Sequence, residues 1–216
     1  DSPGGNFFSR LQNQILYYRC VRGTESQTHL FSSSHFLAQR KAFLRLNGFN
    51  EEMWTYEDIE FQARSQHLGY KPLLATDLVG IHLKEFTLRS LLTDYCRKAY
   101  NTFHARRRYR SVFRHVPSYV GKSLSLTWLL GALLPLVIVA ALLVGIPWPI
   151  ALAAPLCAYV VLSYPLLTRV VYRKSLAFHL KTLLVWPLIG SAVAAASATA
   201  AAVWQVRSAH KACVAL

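Results

Sequence analysis

The sequence predicts a small α/β segment followed by an amphipathic helix and about three transmembrane helices. Residues 6–80 alternate helical patterns with short apolar runs, which is typical of a mixed α/β domain. Residues 123–168 contain no charged residue, a run too long for a single membrane span of roughly 20 residues. All 10 acidic residues lie at or before Asp94, so the net charge of +14 belongs wholly to residues 95–216.

The α/β segment covers residues 1–85. Helices are predicted at residues 7–18, 38–46 and 55–68, and extended segments or strands at residues 28–34, 70–75 and 78–82. Asn47 and Gly48 form a stop signal for the second helix, and Gly69 ends the third. The third helix carries acids in its first turn, where they complement the helix dipole: Glu57, Asp58 and Glu60.

The region 86–122 is basic and begins with a predicted amphipathic helix at residues 86–109. Apolar residues recur in it at three- and four-residue spacing, and basic residues form its polar side. A basic amphipathic helix just before a membrane span is typical of the headgroup plane, and we favour that position. The alternative is an ordinary helix packed on the preceding domain.

The predicted spans cover residues 123–144, 148–168 and 182–206, and a tail of residues 207–216 follows. Basic residues precede the first span and lie between the second and third, whereas the turn between the first two has none. The positive-inside rule therefore predicts a multi-pass plasma-membrane protein with a cytoplasmic N-terminal part. With three spans the tail lies outside, where Arg207 and Lys211 fit that rule less well.

Composition excludes several other classes. The basic residues flank apolar runs rather than a soluble polar face, so we expect no nucleic-acid partner. The four cysteines have neither metal-like spacing nor a disulfide framework. No signal peptide is visible, and we expect the beginning of the chain to be a cut into a longer protein or a truncated product.

One ordered set of short motifs lies between residues 34 and 84. In chain order it reads Gln39-Arg40-Lys41-Ala42-Phe43, Asn47-Gly48-Phe49-Asn50-Glu51, Glu57-Asp58-Ile59-Glu60, Arg64, Gly69-Tyr70-Lys71 and Val79-Gly80-Ile81-His82. In order and spacing this set resembles the family 2 glycosyltransferases, which are inverting enzymes with a GT-A fold. The resemblance implies that residues 1–85 are the second, acceptor-side half of an incomplete GT-A domain.

The same resemblance implies the chemistry. Asp58 would be the general base that deprotonates the acceptor hydroxyl, and Glu57 would orient the site or contact the acceptor. The expected partners are a nucleotide-sugar donor, a lipid-linked or glycan acceptor, and the membrane. His82 would bind a divalent metal, Mn²⁺ or Mg²⁺, with imidazole better suited to Mn²⁺; it is equally well explained as a residue at the domain edge.

Three further residues are candidates for substrate binding. Arg40 and Lys41 would contact diphosphate or acceptor, or else form a solvated surface. Trp54 would stack on a sugar, or else belong to the core. Arg64 is expected to pair with an acid inside the fold.

The chain departs from the family pattern in ways that bear on function. Tyr56 stands where relatives usually have Gly, and Glu60 where they often have Asp; both changes would narrow the acceptor pocket. No Asp-x-Asp occurs in the 216 residues, so the donor-binding half would come from upstream sequence or a separate chain. The Gln-x-x-Arg-Trp motif of processive synthases is also absent, which favours transfer of one or a few sugars.

Two functional hypotheses follow. The first is a membrane-bound glycosyltransferase acting at the cytoplasmic face. The second is a truncated or degenerate non-catalytic homologue that serves as a membrane subunit or scaffold. A transporter is disfavoured, because the predicted spans contain no charged residue of the kind that marks a transport pathway.

Overall fold

The computed structural model describes residues 5–26, 36–53, 55–71, 73, 80, 83–110, 121–164, 166–171 and 174–214. Regular structure in this part of the chain is helical. The helices are α1 (Phe7–Ser26), α2 (Arg40–Arg45), α3 (Glu57–His67), α4 (Leu88–Arg108), α5 (Gly121–Leu143), α6 (Trp148–Leu162), a π-helical turn (Leu166–Val170) and α7 (Leu176–Val214).

The predicted α/β class is wrong. The described residues contain no strand and no sheet, so an incomplete GT-A domain is not supported. The predicted strand at 28–34 lies outside the described residues, and the described residues of the other two, 70, 71, 73 and 80, are irregular. A short apolar run can be a strand or a segment of another kind, and its pattern does not distinguish the two. Among the described residues the core is formed between helices, because the apolar side chains of α1 and α4 pack on each other and on α7.

The three predicted helices of the first segment are confirmed, with shifted ends. α1 begins at Phe7 because the Asn6 side chain caps it: Asn6 Oδ1 accepts hydrogen bonds from Ser9 N at 3.0 Å and Ser9 Oγ at 3.2 Å. α1 then continues to Ser26, eight residues beyond its predicted end at 18.

The turn after α2 uses the stop signal as predicted. Asn47 and Gly48 both adopt positive φ angles of 62°, in the left-handed region that favours Asn and Gly. A Cβ on Gly48 would lie 3.3 Å from the Phe43 ring, so glycine also permits close packing of the turn on α2. Likewise α3 ends at His67, and Gly69 follows with a φ of 83°.

α4 matches the predicted amphipathic helix and begins with a capping box. Thr87 Oγ1 accepts from Ser90 N at 3.2 Å, while Ser90 Oγ accepts from Thr87 N at 2.8 Å. Its apolar side is buried in the protein: Tyr95 Oη donates to Gln12 Oε1 of α1 at 2.9 Å, and the Tyr95 ring meets that of Trp128 in α5. The interfacial position of this helix stays a prediction.

α7 crosses α5 at close range. A Cβ on Gly190 would lie only 2.3 Å from the carbonyl oxygen of Trp128, so this approach requires glycine. Beside it the buried Trp186 Nε1 donates to Thr127 Oγ1 at 2.9 Å. Such use of small residues at helix contacts is common where helices pack in membranes.

Two helical stretches are long and apolar enough to cross a membrane: Trp148–Val170 and Leu176–Val206. They overlap the second and third predicted spans. The first predicted span lies on α5, whose shorter apolar stretch is Thr127–Leu143. The count of three spans stays a prediction.

Candidate functional site

The Glu57–Asp58 pair forms the beginning of α3. Tyr56, the preceding cap residue, has left-handed angles of φ 66° and ψ 17°. This conformation is uncommon for a residue other than Gly, Asn or Asp, and it explains why glycine would suit the position. Asp58 Oδ1 accepts a hydrogen bond from Ile59 N at 2.8 Å, and both acids are half-buried. Acidic side chains at a helix start complement the helix dipole, and a carboxylate is a group that can accept a proton.

Glu60, the third acid of this turn, has a structural role. It is 2 % exposed, and its carboxylate receives Arg64 Nε at 2.6 Å and Nη2 at 2.9 Å. Arg64 therefore pairs with an acid inside the fold, as predicted. The expectation that Glu60 narrows the acceptor pocket stays a prediction; in the structure this ion pair takes the Glu60 carboxylate into the interior.

Arg64 also ties α3 to the end of α2. Its guanidinium donates to the carbonyl oxygen of Gly48 at 2.8 Å and to that of Leu46. The Leu46 carbonyl belongs to the cap residue of α2 and the Gly48 carbonyl to the turn after it, so neither has a partner within the helix. Arg64 thereby holds the Asn47-Gly48 turn on the flank of the helix that carries the acidic pair.

Four phenylalanines form a cluster under this turn, which sequence reasoning missed. Their ring centroids lie between 5.2 and 6.2 Å apart, at interplanar angles of 39° to 74°, in tilted and edge-to-face arrangements. The members are Phe36, Phe43, Phe49 and Phe61. The cluster joins α2, the following loop and α3 into one unit.

The end of α4 docks against the loop that precedes the acidic pair. Asn101 Nδ2 donates to Thr55 Oγ1 at 2.9 Å, and Ile59 packs with Ala105 in a small buried cluster. Glu52 Oε2 accepts from Tyr109 Oη at 3.0 Å and forms an ion pair with Arg108 Nη2 at 2.6 Å.

This contact brings the basic end of α4 to the loop that precedes the acids of α3, although Tyr109 and Glu52 are 57 residues apart in sequence. One feature of the sequence indicates this contact in part. Because no acid follows Asp94, any arginine among residues 106–108 that forms an ion pair needs an acid from upstream.

We call the place where α3 meets the end of α4 the corner. The described contacts do not bring the remaining predicted site residues to it. Arg40 and Lys41 are exposed at the beginning of α2, whereas Arg64 joins α3 to the opposite end of that helix. Trp54 and His82 lie outside the described residues.

The described residues do not fit the divalent metal that the resemblance implies. No group of three or more His, Cys, Asp or Glu side chains able to hold a metal occurs among them. Glu57 and Asp58 would supply two carboxylates, but Glu60 is engaged by Arg64. The metal stays a prediction that depends on His82.

No family model, curated protein or solved structure matches the chain. The resemblance to family 2 glycosyltransferases therefore stays a prediction carried by the motif residues.

Proposed function

We propose that this chain is the acceptor-side and membrane-bound part of an inverting glycosyltransferase, with Asp58 as general base. The observation that carries the proposal is the different placement of the three acids of α3. Glu60 is buried in its ion pair with Arg64, whereas Glu57 and Asp58 are half-buried at the beginning of the helix. A carboxylate held at a partly solvated helix start is suited to proton transfer with a bound substrate.

The proposed step is a single displacement. Asp58 accepts the proton of the acceptor hydroxyl, whose oxygen forms a bond to the anomeric carbon of the donor sugar. The bond from that carbon to the phosphate oxygen breaks, and the nucleoside diphosphate leaves with the electron pair. Glu57 orients the acceptor.

The donor site would lie outside the described residues. The 216 residues contain no Asp-x-Asp, so we propose that upstream sequence or a separate chain supplies the nucleotide-binding half.

The proposed location is the cytoplasmic face of the plasma membrane. The exposed arginines at the end of α4 lie against the loop that precedes the acidic pair, through the contacts of Arg108 and Tyr109 with Glu52. Basic residues of this kind attract anionic headgroups, so the corner suits a lipid-linked acceptor such as a polyprenyl phosphate.

Asp58→Asn tests the proposal in membranes that contain the protein expressed from its complete reading frame. Incorporation of label from a panel of nucleotide sugars into lipid extract or glycan is expected to fall about 10²–10⁴-fold, the usual contribution of a general base. Glu51→Gln changes an exposed acid of the same segment and should leave turnover unchanged. Equal turnover by Asp58→Asn and Glu51→Gln would show that Asp58 is not the general base.

A non-catalytic membrane subunit is the second candidate, favoured by the missing Asp-x-Asp and by the lack of a three-ligand metal group among described residues. In that case deletion of the gene should impair glycan synthesis, while Asp58→Asn restores it as well as the unaltered gene does.

A further inference from the structure

Tyr56 has an unfavourable backbone conformation directly before the acidic pair. In the left-handed region, at φ 66°, the Cβ of a residue lies close to the following carbonyl oxygen, a cost that glycine avoids. The Tyr56 carbonyl oxygen nevertheless accepts the first hydrogen bond of α3, from Glu60 N at 2.9 Å. The beginning of α3, and with it the position of Asp58, therefore requires contacts that offset this cost.

Contacts with the last turns of α4 lie on both sides of Tyr56. Just before it, Thr55 Oγ1 accepts a hydrogen bond from Asn101 Nδ2 at 2.9 Å. Three residues after it, Ile59 is buried and packs on Ala105, and the Tyr56 side chain lies against the cluster that these two residues form. The loop is therefore joined to α4 immediately before and immediately after the residue with the unfavourable conformation.

The Asn101 contact is better shielded from water than the ion pair that joins the same two segments. The side chains of Arg108 and Glu52 are about 60 % exposed, where screening leaves little net attraction. The hydrogen bond from Asn101 to Thr55 is partly buried, and Asn101 lies one helical turn before the buried Ala105, on the same face of α4. A hydrogen bond in such surroundings fixes the relative position of its partners more firmly than an exposed pair does.

α4 is held along α7 up to the end that contacts this loop. Cys96 Sγ donates to the carbonyl oxygen of Ala192 at 3.5 Å, and about two turns later the His104 ring lies 5.9 Å from that of Trp204. Asn101 lies between these two contacts in the sequence. The position of Asn101 is therefore set by the packing of α4 on α7, and the loop before α3 is anchored to these helices through it.

We propose that Asn101 is a positioning residue for the acidic pair. Through Thr55 it holds Tyr56 in the left-handed conformation, and this conformation fixes the beginning of α3, where Asp58 lies. Contact with α4 thereby offsets the cost of a side chain at a position that suits glycine. The effect on turnover rests on the proposed function, whereas the effect on the first turn of α3 does not.

Amide hydrogen exchange in the detergent-solubilised protein tests the structural effect. The quantity measured is the exchange rate of the Glu60 amide, which donates to Tyr56, in fragmented peptides analysed by mass spectrometry. Asn101→Ala removes the donor to Thr55 and should raise this rate about fivefold, the effect expected from loss of one hydrogen bond. Thr93→Ala changes an exposed side chain of the same helix and should leave the rate unchanged. An unchanged rate in Asn101→Ala overturns the inference.

Two substitutions of Tyr56 show whether the left-handed conformation is what Asn101 holds. Both remove the tyrosine side chain, but glycine adopts this conformation without the cost that alanine retains. Added to Asn101→Ala, Tyr56→Gly should give exchange of the Glu60 amide at least about fivefold slower than Tyr56→Ala gives. Equal rates for the two double variants would mean that the backbone cost at this position does not bear on the first turn of α3, and would overturn the inference.

Turnover tests the catalytic effect, in the membranes and with the labelled nucleotide sugars used for Asp58→Asn. Because a small displacement of a reacting group slows the chemical step strongly, Asn101→Ala should lower kcat about tenfold or more, while KM for the nucleotide sugar stays unchanged. Adding Tyr56→Gly should recover much of the lost kcat, and adding Tyr56→Ala should not. An unaltered kcat in Asn101→Ala contradicts the positioning role.

The two measurements separate failure of this inference from failure of the proposed function. If Asp58→Asn keeps full turnover while Asn101→Ala speeds exchange at Glu60, the proposed function fails, and Asn101 still fixes the first turn of α3. If Asp58→Asn loses turnover while Asn101→Ala changes neither the exchange rate nor kcat, the inference fails and the proposed function stands.

Discussion

The corner where α3 meets the end of α4 and the bundle of α5, α6 and α7 are held by different kinds of contact. In the corner, Arg108 binds Glu52 and Asn101 binds Thr55, while Arg64 binds Glu60 within α3 and the carbonyl oxygens that follow α2. In the bundle, backbones approach closely at Gly190, and the described side-chain hydrogen bonds between helices are few. The stability of the corner therefore depends on charged and polar side chains, and the stability of the bundle depends on close packing of the helix backbones.

The largest expected effect is on α3, the helix that α4 contacts in the corner. Arg64→Met leaves the buried Glu60 carboxylate without its guanidinium, and loss of one partner of a buried pair costs about 3–5 kcal/mol. The measurement is the thermal unfolding midpoint of the detergent-solubilised protein.

Arg45→Met, at the exposed end of α2, is the matched control for this change and should shift the midpoint little. Glu60→Met combined with Arg64→Met should recover much of the loss, because the unpaired charge is gone. Equal midpoints for Arg45→Met and Arg64→Met would show that the ion pair does not stabilise the corner.

The next prediction tests whether the stability of the bundle depends on the close approach of α5 and α7. Gly190→Ala places a methyl group 2.3 Å from the Trp128 carbonyl oxygen, so α5 and α7 must separate. Overpacking of this kind costs about 1–3 kcal/mol, which the same unfolding measurement detects. Ser191→Ala, one residue later on the exposed side, is the control, and an identical midpoint for both variants contradicts the close approach.

A smaller effect separates the two regions by their response to salt. Arg108→Gln removes an ion pair whose two side chains are about 60 % exposed, and such a pair contributes at most about 1 kcal/mol. The loss should shrink between about 0.05 M and about 1 M salt because the charges are screened. The loss caused by Gly190→Ala should not change. A salt-independent effect of Arg108→Gln would mean that its packing, rather than its charge, matters.

The smallest effect lies in the turn before α7. Burial, and then the nearby Arg10, lower the pKa of Lys174 from its usual 10.5. The charged form is thus disfavoured in the folded state, so Lys174→Gln should raise the free energy of unfolding slightly, by less than about 0.5 kcal/mol for this partly solvated group.

The sign of the pH dependence follows from the lowered pKa. Below the folded-state pKa, Lys174 is charged in both states and the penalty is complete. As the pH rises from there towards 10.5, the folded state releases its proton first and the penalty disappears. The advantage of Lys174→Gln should therefore be largest near neutral pH and vanish above 10.5; an advantage that grows with pH contradicts this.

Several elements could be predicted because their causes are local. The helix ends at Asn47-Gly48 and at Gly69 follow from which residues tolerate positive φ. The start of α4 at Leu88 follows from a capping box within four residues. The wrong predictions concern structure whose cause is not local. A strand exists only through pairing with a neighbouring strand, and the described residues contain no strand with which the apolar runs could pair.

The sequence by itself determined the separation of charge at Asp94, the uncharged run of residues 123–168 and the acids at the beginning of α3. Only the tertiary structure decided which of those acids is buried by Arg64, that Glu52 binds Arg108, and that α4 follows the second half of α7. Composition and helix caps act within a few residues along the chain. Partners separated by 57 or 96 positions are chosen by how the helices pack, because many polar or small residues are locally equivalent candidates for each contact.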